Sequence, residues 1–302
     1  MTLGRRICTI IAGLALAQGA VAQDSGAARI VTQEISDGLY VLFGVGEGVI
    51  AGNILASIGE QGTLLVDDQS PATAALYLAT IAELGGPADV AFVINTHWHF
   101  DHSDGNKALG PMGARLVAHE NSRRQLLRDN VINLVSSTVE QPAYPLAALP
   151  VVTYDDSMRM YFNGHRIDLL HFGPAHTTGD TAVIFRDAGV VHLGDVFNTS
   201  GYPFIDADNG GSLEGVVAFC QAVLDEIDST AVVIPGHGQV SDYRGLTEYV
   251  SMLRTIHDRM RALVDTGASL AQVTAAQPTA EWDARLGDPA SFIDRSYASM
   301  VR

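Results

Sequence analysis

The chain is short of cysteine, of lysine and of long apolar runs. Cys8 and Cys220 are the only cysteines in 302 residues. Cys8 falls in an N-terminal segment that reads as removable, so the mature protein keeps one thiol and no intrachain disulfide is possible. Cys220 lies in the apolar helical pattern of residues 216–224, where a packed thiol is expected rather than a nucleophile. Lys107 is the only lysine, against 17 arginines, and the formal charge is −16. A protein that grips nucleic acid normally shows a basic face, so a polynucleotide partner is not expected. Beyond the N-terminus no run approaches the ~20 apolar residues of a membrane span, so no stable membrane insertion is expected of the mature chain. Repeats at solenoid spacing and low-complexity linkers are also missing.

Hydrophobic residues make up 47 % of the chain, enough for a substantial core. The start reads Met1-Thr2-Leu3-Gly4-Arg5-Arg6, then a largely apolar stretch to Ala17, then Ala20-Val21-Ala22 before polar residues. Basic start, short apolar run and small-x-small exit predict a signal peptide over 1–22, cleaved after Ala22, and a periplasmic or secreted protein. The remainder, 23–302, reads as one α/β domain of two mostly antiparallel sheets covered by helices, with a helical C-terminal portion from about residue 243. Strand patterns cover 39–43, 52–58, 62–68 and 89–96, with a helix over 71–84 that carries Pro71 in its first turn. Asn163-Gly164 between two apolar runs predicts a tight hairpin. A second hairpin spans 181–193. Helices follow at 213–227 and 243–264, flanking a strand at 231–234.

The most informative segment is His97-Trp98-His99-Phe100-Asp101-His102. Three imidazoles and a carboxylate so close together repel when charged and cost desolvation when buried. A cation offsets both, and these donors suit zinc, iron or manganese. The segment leaves a buried β-strand pattern, the position where open α/β sheets place their sites. Read as extended chain, His97, His99 and Asp101 would point one way and His102 the other, an arrangement that feeds two metals better than one. Trp98 and Phe100, between the ligands, are expected to pack.

Three more loops follow strand patterns and carry a metal-type side chain beside glycine: His176 in 172–180, Asp195 after Gly194, and His237 between Gly236 and Gly238. Each is weak alone. Together with Asp67-Asp68 and the histidine cluster, they resemble the five ordered motifs of the metallo-β-lactamase-fold metallo-hydrolase superfamily, over most of residues 30–240. That resemblance implies an αββα four-layer sandwich with a metal groove along one edge. It implies two Zn2+: His97, His99 and His176 on one, Asp101, His102 and His237 on the other, Asp195 bridging. It further implies that Asp67 orients the ligand loop from behind; Asp67 is preferred to Asp68 because it directly follows the strand 64–66. Two such metals roughly 3.5–4 Å apart share a hydroxide and lower its pKa toward neutrality. Asp101 and Asp195 are then the catalytic carboxylates, with Asp101 shuttling the proton. His119, His165, His171, His192 and His257 are taken as structural or surface residues, although His192 lies close to Asp195.

An aspartate at 195 is the subgroup clue. One β-lactamase branch carries cysteine there and lysine three positions on, where this chain has Asn198. The site is closer to relatives that cleave esters, lactones, thioesters and phosphodiesters, acting on a small-molecule substrate, with β-lactam hydrolysis as an alternative main activity. A second alternative is a sulfur dioxygenase with one Fe2+ on His97, His176 and Asp195. Asn198, Tyr202 and Phe204 are expected to line the substrate pocket, with Tyr202 donating to an oxyanion and Phe204 forming a wall.

Overall fold

The computed structural model describes residues 26–87 and 89–302, so the signal sequence expected over 1–22 lies outside the described residues. The chain opens with β1 (Arg29–Ser36), β2 (Leu39–Val45), β3 (Ile54–Gly59) and β4 (Gly62–Val66), then α1 (Pro71–Glu83) and β5 (Val90–Asn95). Two short helical turns follow, α2 (Phe100–Ser103) and α3 (Asn106–Leu109), then β6 (Arg115–His119) and α4 (Glu120–Leu126). An excursion forms the hairpin β7 (Asn130–Asn133) and β8 (Thr138–Gln141) before β9 (Val152–Tyr154). The second half supplies β10 (Ser157–Phe162), β11 (His165–Leu170), β12 (Ala182–Phe185) and β13 (Val190–His192), then α5 (Leu213–Glu226), β14 (Val232–Ile234) and β15 (Ser241–Asp242). It closes with α6 (Tyr243–Val264), α7 (Leu270–Ala275), α8 (Asp283–Leu286) and α9 (Ala290–Met300).

The strands make two large sheets, ordered β1-β2-β3-β4-β5-β6-β9 and β10-β11-β12-β13-β14-β15. Alternation of side chains along each strand assigns one face to each neighbour. Leu55, Leu64, Val66, Ile94 and Val117 face inward to meet Ile167, Leu169, Val183, Phe185 and Ile234 of the second sheet. Their neighbours Ile54, Leu65, Val93 and Leu116 face out against Tyr77 and Ile81 of α1. Ile184, Val191 and Val233 do the same in the second sheet, under Phe219 of α5, Leu253 of α6 and Phe292 of α9. The result is the helix-sheet-sheet-helix sandwich expected from sequence. No helix among the described residues is long and apolar enough to cross a membrane.

One expectation is corrected. The first sheet is not mostly antiparallel: β1 to β4 pair antiparallel, but β4-β5, β5-β6 and β6-β9 are parallel. Parallel neighbours need a crossover, and the helices after β4, β5 and β6 supply one each. The Asn163-Gly164 turn joins β10 to β11, both residues at positive φ (49° and 80°), as a two-residue hairpin loop demands.

A buried carboxylate ties the second sheet. Asp168 on β11 pairs with Arg159 of β10 (2.7 Å), Arg166 (2.7 Å) and Arg186 beyond β12 (2.9 Å). Burial alone would raise this carboxyl, but the Arg166, Arg159 and Arg186 guanidiniums outweigh it and hold it below its ordinary value. A depressed folded-state pKa stabilises the protein above the unfolded carboxyl pKa and is lost as pH falls through the folded one. Asp168→Asn should therefore destabilise the fold by about 2 kcal/mol at pH 7, and the gap to wild type in urea unfolding should narrow below about pH 4. A gap independent of pH would contradict this assignment.

Candidate metal centre

Five strand ends deliver the functional side chains. Asp67 follows β4, His97 and its neighbours follow β5, His176 lies beyond β11, Asp195 follows β13 and His237 follows β14. The backbone at His99 is extended (φ −64°, ψ 149°) and then turns into α2, so the cluster is not extended throughout as the sequence suggested. That turn still splits the ligands. His97, His99, His176 and Asp195 offer donor atoms all within 4.8 Å of one another, and Asp101, His102 and His237 form a second such group.

Asp195 lies between them. Its Oδ1 is 3.0 Å from His102 Nε2 and 3.4 Å from His237 Nε2, while its Oδ2 is 3.7 Å from His176 Nε2. Asp101 Oδ2 stands 3.2 Å from His237 Nε2 and 3.8 Å from His102 Nε2. Gly236 lets the loops approach this closely, because a side chain there would fall on Asp195 Oδ1. Side-chain exposure is near zero for His102 and His176 but 12 % for Asp101 and Asp195 and 25 % for His237. The centre therefore opens on the Asp101–His237 side.

Each of the four buried imidazoles in these two groups is held from behind. His102 Nδ1–H donates to Asp67 Oδ2 (2.7 Å). Asp67 itself is fixed by Thr96, which donates its N–H to Oδ1 (2.7 Å) and its hydroxyl to Oδ2 (2.8 Å). With that hydroxyl proton committed, His97 Nδ1–H donates to Thr96 Oγ1 (3.1 Å). His176 Nδ1–H donates to the Phe204 carbonyl (2.7 Å), and His99 Nε2–H donates to Asp206 Oδ2 (2.9 Å). All four rings thus turn their second nitrogen inward. His176 Nε2 and His99 Nδ1 lie 2.9 Å apart, His102 Nε2 and His237 Nε2 3.1 Å apart, and buried His97 Nε2 has no hydrogen-bond partner. An orphaned buried nitrogen is costly, and nitrogen lone pairs converging at these distances fit a cation.

The electrostatics divide the site. Burial, reinforced by neighbouring imidazoles, pushes His97 and His176 below the ordinary histidine range, so both are neutral donors. Burial would also lower His237, but the carboxylates of Asp195 and Asp101 outweigh it and hold it up at about 10. His102 is raised in the same way by Asp195, Asp101 and Asp67. Burial would raise Asp101 and Asp195, yet the facing imidazoles keep both below the usual carboxylate range.

Outside the seven clustered residues the sequence reading fares unevenly. Phe204 stands beside the site, its ring 6.0 Å from His99 and 5.8 Å from His176. Asn198 adjoins the His237 loop through its backbone, but its amide oxygen accepts from Ser200 and so caps its own turn. Tyr202 is a correction. Its hydroxyl bonds Asp283 Oδ1 (2.7 Å), and its ring stacks on Phe292 of α9, so it anchors the C-terminal helices and cannot donate to an oxyanion. Trp98 is fully buried among Leu126, Ile132 and Tyr144, as packing required. Asp206 was missed because 107 residues separate it from His99 and no local spacing links them.

Comparison with known proteins bears on the family and the fold. The model of the Metallo-beta-lactamase superfamily matches residues 52–242, well over half of the chain. The chain belongs to the metallo-β-lactamase superfamily. Among the described residues it carries the His/Asp cluster, able to bind metal, described above. It is 27 % identical over 146 residues to the 2,4-dinitroanisole O-demethylase subunit alpha of Nocardioides sp. (strain JS1661), a match covering 48 % of this chain and 41 % of that protein. Metallo-beta-lactamase domain-containing protein 1 of Rattus norvegicus is 43 % identical over 61 residues, 20 % of this chain and 24 % of that one. The chain thus spans less than half the length of either relative. Among solved structures, DIM-1 metallo-beta-lactamase superposes with a TM-score of 0.59 at 18 % identity, covering 76 % of this chain and 99 % of that one. The metallo-beta-lactamase of Pontibacter korlensis gives 0.58 at 18 %, covering 75 % and 99 %. These two likenesses speak for the fold.

Removing the acceptor behind His99 should loosen the centre. Asp206→Ala should weaken metal affinity by about 10–100-fold in a chelator competition, with Asp206→Asn less affected because its amide oxygen still accepts. Unchanged affinity in the alanine variant would show that Asp206 serves only its own turn.

Proposed function

We propose that this chain is an exported dinuclear zinc hydrolase that cleaves a small ester, lactone, thioester or β-lactam amide. The observation that carries the reading is the pair of ligand groups sharing Asp195, with each buried imidazole held from behind and its second nitrogen turned inward. His97, His99 and His176 would hold one cation, Asp101, His102 and His237 the other, with Asp195 serving both. When bound, two such cations supply Lewis acidity toward the substrate's carbonyl oxygen and an acidified water at neutral pH.

The chain's own residues do the rest. Asp67 and Thr96 fix His102 and His97 in one tautomer. Asp101, ionised and on the open side, orients the attacking water and carries its proton toward the leaving group. Phe204 walls the groove beside His99 and His176 and keeps water from that flank. Asn198 offers a carboxylate-bearing substrate no cation, only the neutral donors of its amide nitrogen, because its amide oxygen accepts from Ser200. This favours ester-type substrates over β-lactam antibiotics as the main class. The mononuclear-iron alternative needs only His97, His176 and Asp195; it leaves the assembled group of Asp101, His102 and His237 without a role.

Elemental analysis of the purified protein should find about two zinc per chain. Ester, thioester and lactone panels, a chromogenic cephalosporin and 2,4-dinitroanisole should be assayed with and without chelator. Ester-type turnover should be lost on chelation and return with zinc. His97→Ala and Asp195→Ala should each lower it at least about 100-fold with the fold retained by circular dichroism. One iron per chain, or normal hydrolysis by both variants, would overturn the reading.

A further inference from the structure

Residues 52 and 53, in the segment joining β2 to β3, contribute no ligand, yet their hydrogen bonds converge on the second ligand group. Gly52 N–H donates to the Asp101 carbonyl (3.0 Å), and its own carbonyl accepts from Gln69 Nε2 (2.8 Å). A side chain at position 52 would occupy the His102 ring, so only glycine lets the backbone lie against that ligand. Asn53 N–H donates to the Gly236 carbonyl (2.7 Å), and its side-chain Nδ2 donates to both the Pro235 and Gly238 carbonyls (2.9 Å each). These three bonds bracket His237. The Asn53 carbonyl accepts from His192 Nε2 (3.0 Å), and His192 Nδ1 accepts from the N–H of Gly194, the residue before Asp195 (3.1 Å). Asn53 and His192 are both buried.

We infer that Gly52 and Asn53, relayed through His192, are positioning residues for the second metal: they set Asp101, His102, His237 and Asp195 relative to one another. None of these bonds reaches His97, His99 or the loop of His176, which rest on Thr96, Asp206 and Phe204 instead. The brace therefore falls on the second ligand group and on the shared Asp195, whereas the Asp67–Thr96 pair steadies one ring of each group. The Asn53 amide is the only side chain of the brace that grips the His237 loop from both sides, and it does so as a double donor. An isosteric carboxylate in its place would set oxygen against two carbonyl oxygens. The inference rests on the two-metal reading above.

The test is a cobalt titration of the metal-free full chain, followed by the visible absorption of the bound ion, on wild type, Asn53→Ala and Asn53→Asp. Wild type should take up two equivalents. Both variants should bind the first equivalent within about twofold of wild type and the second about tenfold or more weakly. The aspartate variant matters because it preserves volume and removes the donor; it also carries the test should the alanine variant fail to fold, as read by circular dichroism. A brace that merely stitched the sheets together would weaken both equivalents alike, and that result would overturn the inference, as would an aspartate variant that binds two equivalents like wild type. A wild type that accepts one equivalent would instead overturn the two-metal reading and the inference with it.

Discussion

Five imidazoles and two carboxylates are pressed together at one edge of two sheets, most of them out of water. Such a group is tolerable when the buried rings are each told which nitrogen points away from the centre. Asp67, Thr96, Asp206 and the Phe204 carbonyl do that from behind, taking the outward N–H of His102, His97, His99 and His176. Inward-facing lone pairs then follow, and with them the affinity for cations. Everything else in the molecule serves to bring those acceptors and rings to one place.

The sandwich does this through strand ends. Period-two alternation gives each sheet an inner apolar face, and burial of those faces against each other contributes roughly 1.5–3 kcal/mol per large side chain. Register is thereby fixed, because a one-residue slip would reverse every face. With both sheets locked, the loops beyond β4, β5, β11, β13 and β14 have no freedom to miss one another. The C-terminal helices add a second support: Tyr202 clamps the loop that carries Phe204 and Asp206 onto Asp283 and Phe292. The C-terminal layer thus adds support to the first ligand group and the Gly52-Asn53 segment to the second, on top of the Asp67–Thr96 pair that serves both.

Much of this was legible in the chain because the chemistry is local there. The spacing of His97, His99, Asp101 and His102 sets four donors in six positions, and the strand before them placed the cluster at a sheet end. The Asn163-Gly164 turn and the helices at 213 and 243 likewise declared themselves through short-range pattern. What escaped was long-range or weakly patterned. Strand β1 is largely exposed along one edge and offers little alternation. Strands β7, β8 and β9 are only three or four residues long. Asp206 and Asn53 act across 107 and more than 180 residues, where spacing carries no signal. Tyr202 was misjudged because nearness in sequence to Asp195 says nothing about which way a ring turns once α9 packs against it.

The most direct test of the account is anomalous diffraction at the zinc edge from crystals of the purified, metal-loaded protein. Two peaks are expected, roughly 3.5–4 Å apart, one enclosed by His97, His99 and His176 and the other by Asp101, His102 and His237, with Asp195 between them. A single peak, or density that sits away from these rings, would contradict it.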